Sequence, residues 1–185
     1  MRVEKLKATY AIETKLVHFP LHPDTPMEGR SMAEFYASRG TDPEEAYQRM
    51  KTLMDQEGLP YGRRTHTYNS RLAQELGKWA DTTPGGEAIH DLLYKAYFVE
   101  AKNLADVDLL VEIAERVGLS GGEARSVLNE RRFSDAVDAD WAKSHQYGVT
   151  GVPTFVASRY GVVGAQPYGA LARLVEQAGA VRRSG

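Results

Sequence analysis

The chain has 185 residues, enough for one domain of ordinary size or a small domain with an insertion, and too few for two complete enzymatic domains. Hydrophobic residues at 42% and charged residues at 26% exclude a disordered, collagen-like or coiled-coil chain. A formal net charge of -2 provides no large electrostatic field, so neither nucleic acid nor a membrane is predicted as a partner.

The first 20 residues predict one helix and one strand. In residues 1–10, apolar side chains recur every three or four positions among charged neighbours, which is typical of a helix. Residues 12–19 are rich in β-formers with partial alternation, and Pro20 closes the segment. We therefore expect a strand over residues 12–19.

Residues 31–148 have a helical pattern throughout. Asp42 followed by Pro43 predicts a helix start, and Ser120 three residues before a glutamate predicts another. Glycine and proline mark the breaks between helices at residues 58–62 and 82–86. This long stretch is predicted to be a bundle of amphipathic helices.

The pattern changes after Gly148. Residues 152–157 and 160–164 predict two short strands joined by a tight turn at Ser158 and Arg159, and the last apolar stripe predicts a closing helix. The order is therefore helix, strand, helical block, hairpin and helix.

The composition also limits the chemistry and the location. The charged first residues do not fit a secretory signal, and no apolar stretch approaches membrane-spanning length, so a cytoplasmic protein is predicted. The sequence contains no cysteine, which removes disulfides, thiolate metal ligands and thiol nucleophiles from these residues.

Four segments together resemble one known family. They are Phe-Pro-Leu-His-Pro-Asp-Thr-Pro at 19–26, Asn-Ser-Arg-Leu-Ala at 69–73, Tyr-Lys-Ala-Tyr-Phe at 94–98, and Gly-Val-Thr-Gly-Val-Pro-Thr-Phe-Val at 148–156 with Gly-Ala-Gln-Pro at 164–167. The chain resembles the DsbA-like thioredoxin proteins, specifically the FrnE-type branch of dithiol-disulfide isomerase-like proteins. The resemblance implies an α/β thioredoxin-like fold with a large helical insertion, in which residues 1–28 and 149–185 form the thioredoxin-like unit and residues 29–148 the insertion.

The chain departs from that family at its start. Members carry a Cys-x-x-Cys between the first strand and the first helix, and the sequence begins inside that helix. We therefore expect that the first strand is missing and that these residues are redox-silent, with no catalytic residue of their own. A shortened gene model is favoured as the cause, and a natural loss of the N-terminus stays open as the alternative.

The resemblance also implies a substrate-binding loop at Thr150, Gly151, Val152 and Pro153. A cis peptide bond before Pro153 would let Val152 present its N–H and C=O groups to an extended peptide or protein thiol/disulfide substrate. The residues alone favour a trans proline that opens an edge strand, and a turn threonine that satisfies its own backbone.

No cofactor and no metal site are predicted. His18 and His22 are four residues apart, a spacing that suggests metal binding on a helix, but Pro20 lies between them in a strand and turn. Their rings are therefore not expected on one face. Within the helical block, Asn69 is a candidate cap and Arg71 a candidate partner for a carboxylate.

Two other functions stay open. The first is a non-catalytic or chaperone-like binder that holds extended peptides at the Val152 loop. The second is a glutathione-dependent transferase or isomerase, since kappa-class glutathione transferases and chromene-carboxylate isomerases resemble this layout. Those proteins commonly have a Gly-x-Asp-Arg segment where this chain has Gly-Ala-Gln-Pro at 164–167, which disfavours the second. The sequence leaves the physiological substrate and the oligomeric state open.

Overall fold

A computed structural model describes residues 2–37 and 39–183. The chain forms two compact units, one of Met1–Leu21 with Ala139–Gly185 and one of His22–Asp138, which we call the terminal unit and the helical unit. The sequence placed these boundaries at 28/29 and 148/149. In the structure the first change of unit, at residues 21 and 22, lies outside any helix, and the second, at residues 138 and 139, lies within one.

The described residues form nine helices, four short strands and one 3₁₀ turn at Gly86–Ala88. In chain order the helices and strands are α1 (Arg2–Thr9), β1 (Arg30–Ser31), α2 (Met32–Ala37), α3 (Pro43–Gln56), β2 (His66–Thr67), α4 (Arg71–Ala80), α5 (Ile89–Phe98), α6 (Val107–Arg116), α7 (Gly121–Asn129), α8 (Ser134–Gln146), β3 (Thr154–Ala157), β4 (Tyr160–Val163) and α9 (Tyr168–Gln177).

The helical unit is organised around the apolar stripes of α4 to α7. Their inward side chains form one continuous core, whose fully buried members include Leu76, Ile89, Leu110, Ile113, Val127 and Leu128. The predicted caps are confirmed. The Asp42 side chain accepts hydrogen bonds from the N–H groups of Glu44 and Glu45, and the Ser120 side chain accepts one from Glu123. These caps satisfy amide donors that have no partner within the helix.

The terminal unit packs α1 and α9 against the β3–β4 hairpin. Leu6, Tyr10, Leu171 and Ala172 form its buried centre, and Phe155 and Val162 pack against them from one face of the hairpin. Thr154 pairs with Val163 and Phe155 with Val162, so the predicted hairpin is confirmed. On the opposite face, Val156 and Val163 are 45% and 55% exposed.

The predicted strand over residues 12–19 is wrong. The segment forms no strand ladder with any described residue. One of its contacts is a hydrogen bond from the His18 N–H to Oδ2 of Asp140 at 3.1 Å. Favourable β-formers do not make a strand without a neighbour to complete its hydrogen bonds. The small β1–β2 ladder, which pairs Arg30 with Thr67, was not predicted, because two residues carry no detectable alternation.

Two further features bear on function. None of the described helices is long and apolar enough to cross a membrane. Among residues 2–37 and 39–183, no cluster of three histidine or carboxylate side chains could hold a metal ion.

Candidate substrate-binding loop

The loop of residues 150–153 leads directly into β3. Its hydrogen bonds fix the residues on either side of Val152: the Thr154 hydroxyl donates to the Gly151 carbonyl at 2.6 Å, and the Gly164 N–H donates to the Pro153 carbonyl at 2.7 Å. The second bond ties the loop to the residue that follows β4. The peptide bond between Val152 and Pro153 is cis.

Val152 itself is left open by these contacts. The residue is 50% exposed, and no described residue hydrogen-bonds to its N–H or C=O group. Gly151 has no other atom within 4 Å of the position a Cβ would take, so the approach to Val152 is clear on that side. The loop therefore presents a fixed backbone donor and acceptor at the surface of the terminal unit.

The outer edge of β3 continues the same backbone. Ala157 and Tyr160 close the two-residue turn, and in an antiparallel ladder the hydrogen-bonded pairs alternate. The bonded positions of β3 are therefore Ala157 and Phe155, while Thr154 and Val156 direct their N–H and C=O groups away from β4. Within the described chain, β4 is the only strand that pairs with β3.

The loop holds no titratable side chain, and the structure brings no acid, base or nucleophile of the predicted site into it. Thr150 is exposed, as is Pro153. The arrangement can bind backbone but offers no group for covalent or acid–base chemistry. The sequence indicates Thr150 to Pro153 only through the family resemblance. It carries no signal for Thr154 and Val156, because the outward direction of their N–H and C=O groups depends on the hairpin register.

The remaining predictions concern the helical unit. Asn69 lies at the start of α4, where its Oδ1 accepts from the Arg71 N–H at 2.8 Å and its Nδ2 donates to the Thr25 carbonyl at 2.7 Å. The predicted carboxylate partner of Arg71 is confirmed, because Arg71 pairs with Glu75 at 2.8 Å and with Asp138 at 2.7 Å. These contacts hold helices together and do not form a second reactive site.

Comparison with known proteins places these features in context. The profile of the DSBA-like thioredoxin domain matches residues 1–176. The crystal structure of a probable DsbA oxidoreductase from Streptomyces coelicolor is similar with a TM-score of 0.87 and 30% sequence identity, over 96% of this chain and 81% of that one.

A second relative matches a shorter part of the chain. The uncharacterized protein YwbO of Bacillus subtilis (strain 168) is 34% identical over 94 residues, which are 49% of this chain and 46% of that protein. The match thus spans about half the length of each of the two proteins.

Proposed function

We propose, because this chain belongs to the family of DsbA-like thioredoxin domains, that it binds an extended segment of a protein substrate along Val152 and the outer edge of β3. Within the family we assign it to the FrnE-type branch, on the segments at residues 19–26 and 164–167. The substrate class is an extended peptide carrying a thiol or disulfide, as the family's chemistry implies.

The observation that carries this proposal is the open backbone of the loop. Val152 has an N–H and a C=O group without a partner among the described residues, and Thr154 and Val156 continue the same edge. An unpaired strand edge binds an extended chain by adding it as another strand, with main-chain hydrogen bonds supplying the affinity.

The redox part of the family's activity is not proposed for these residues. Disulfide exchange requires attack by a thiolate, and none of the 185 residues is a cysteine. We therefore propose that these 185 residues bind such substrates without exchanging their disulfides. Thiol-dependent reduction of insulin by purified protein of verified sequence would contradict this.

Proline substitution at the edge tests the binding mode. In Val156→Pro, the lost N–H points away from β4, so the hairpin ladder keeps its bonds while an added strand loses a donor and meets the ring. Val163→Pro is the matched control, since the Val163 N–H points away from β3, at the other edge of the hairpin. Circular dichroism should show that both variants are folded.

The assay is fluorescence anisotropy with a labelled, valine- and threonine-rich peptide of about six residues, a usual strand length. Val156→Pro should weaken binding about tenfold or more, since one or two main-chain bonds are lost, while Val163→Pro should leave it unchanged. A peptide with alternate N-methylated amides should also bind weakly. Equal affinities for all of these would refute strand addition at β3.

A second candidate is the chaperone-like binder, which the same open edge favours. It differs in needing no thiol or disulfide in its substrate. Matched peptides with and without a cysteine pair separate the two: equal binding favours the chaperone-like function, and preference for the disulfide peptide favours the substrate class proposed above.

A further inference from the structure

The helical unit contains a cleft of about 130 Å³ that has no part in the Val152 loop. It lies between α2, the start of α3 and the segment before β2. The lining side chains are mainly aromatic or charged and comprise Met32, Tyr36, Pro43, Glu44, Tyr47, Tyr61, Arg63, Arg64 and Thr65.

The walls of this cleft suit an aromatic ring. Tyr47 and Tyr61 lie with their ring centroids 5.8 Å apart and their planes 23° from parallel, and Tyr36 also lines the cleft. A bound ring could contact the free edges and faces of these tyrosines at the centroid distances of about 4.5–7 Å that aromatic pairs prefer. The volume of the cleft limits the ligand to about one ring, because an apolar cavity of about 150 Å³ accommodates one benzene molecule.

The charges of the cleft favour an anion. Arg63 is paired with Glu44, and its guanidinium lies 4.8 Å from the Tyr47 ring centroid, so a cation already occupies the ring face that a cationic ligand would use. The Arg64 guanidinium stacks on Tyr97 at 4.4 Å and on Phe98 at 5.2 Å, two rings beside the cleft, and no carboxylate of the described residues lies within ion-pair distance of it. The cleft is therefore lined by two arginines and one glutamate.

We propose that this cleft binds a single-ring aromatic carboxylate, with the ring against the tyrosine side chains and the carboxylate bound by Arg64. A guanidinium presents several N–H donors in one plane, which matches the two oxygens of a carboxylate. Stacking on Tyr97 holds the guanidinium in place before the ligand arrives, which lowers the entropy cost of binding. The Thr65 hydroxyl lines the same cleft.

The first test is an NMR titration of the wild-type protein with benzoate as the probe. We expect saturable shifts of the backbone amides of Tyr61, Arg63 and Thr65, with a Kd of about 1 mM or lower, which is within reach of a ligand of this size. Benzyl alcohol lacks the charge, propionate lacks the ring, and benzylamine has the opposite charge. Each should bind about tenfold more weakly or not at all.

The second test removes the proposed anion partner. Arg64→Gln should weaken benzoate binding about tenfold, and Arg64→Lys should restore part of it, because the charge returns without the planar fork. Arg49→Gln is the matched control, since Arg49 is an exposed arginine of α3 outside the cleft. Thermal melts should show that all three variants are folded.

Several results would overturn the proposal. They are benzylamine binding as well as benzoate, benzoate shifts confined to amides outside the cleft, no saturable benzoate binding by wild-type protein, or equal benzoate affinities of folded Arg64→Gln and wild type. None of these depends on peptide binding at Val152, so the two proposals can fail separately.

Discussion

Glu75 is bound by Arg131 through both of its carboxylate oxygens, with Nε to Oε2 at 2.8 Å and Nη2 to Oε1 at 2.6 Å. Glu75 is fully buried in α4, and Arg131 follows α7, 56 positions later in the chain. Arg71 donates to Oε1 at 2.8 Å and also to Asp138 at 2.7 Å. The helical unit therefore holds one hydrogen-bonded buried carboxylate where α4, α8 and the loop after α7 meet.

Replacing Glu75 should destabilise the helical unit strongly. In Glu75→Gln, two arginines lose their shared charge partner, and breaking a buried ion pair costs about 3–5 kcal/mol. We expect about 3 kcal/mol, the lower end of that range, because the Arg131 side chain is 49% exposed and its charge stays partly hydrated. Urea denaturation measures the loss. Glu112→Gln, an exposed glutamate of α6, is the control and should change stability by less than about 0.5 kcal/mol.

The same carboxylate should make stability depend on pH. Burial raises the pKa of Glu75, but hydrogen bonds and charge from Arg131 and Arg71 outweigh it, so the pKa lies below its usual value. A depressed pKa stabilises the folded state fully above the unfolded pKa, and this is lost as the pH falls through the folded pKa. The difference in unfolding free energy between wild type and Glu75→Gln should therefore shrink below about pH 4. A pH-independent difference would contradict this.

The left-handed backbone at Arg131 predicts losses of different size for two truncations of this residue. Its φ of 54° lies in the left-handed region, which costs a residue with a Cβ about 1–2 kcal/mol. Arg131→Ala loses the Glu75 contacts and keeps that cost, while Arg131→Gly loses the contacts but relieves it. Both should be less stable than wild type, with the glycine variant about 1 kcal/mol more stable than the alanine variant. If Arg131→Ala is more stable than Arg131→Gly, the left-handed backbone at residue 131 is not a strain that the contacts of the Arg131 side chain offset.

Local signals explain what could be predicted in this part of the molecule. The caps at Asp42 and Ser120 are correct because cap and amide lie within three residues of each other. The pairing of Arg71 with Glu75 is visible as a four-residue spacing on one helix face. Arg131 carries no such signal, because its partner is distant in sequence and its own helix has already ended.

The fold class was predicted correctly, since the matched family is that of the DSBA-like thioredoxin domain and the structure of this chain is similar to a solved probable DsbA oxidoreductase. The error at residues 12–19 arose because alternation reports side-chain preference and not the presence of a neighbouring strand. The sequence did not indicate the cleft for a related reason. Tyr47 lies in α3 and Tyr61 in the segment after it, and the two rings meet only because the chain turns back between α3 and β2.

Tyr10 and Glu176 are joined by a hydrogen bond in the terminal unit. The Tyr10 hydroxyl donates to Oε1 of Glu176 at 2.6 Å, and Nη2 of Arg182 donates to the same oxygen at 3.0 Å. The hydrogen bond to this carboxylate, with burial, raises the pKa of Tyr10 above its usual value of 10, although Arg182 opposes the change. The tyrosinate form is therefore disfavoured in the folded protein.

Alkaline titration followed by tyrosinate absorbance measures this effect. Comparing wild type with Tyr10→Phe isolates one of the ten tyrosines, and that component should titrate above pH 10. Because the folded pKa is raised, Tyr10 contributes stability that is complete below its unfolded pKa and is lost as the pH rises through the folded one. Glu176→Gln should move the component to lower pH, since a neutral amide disfavours the phenolate less than a carboxylate does. An unchanged midpoint in Glu176→Gln would show that burial alone sets the pKa of Tyr10.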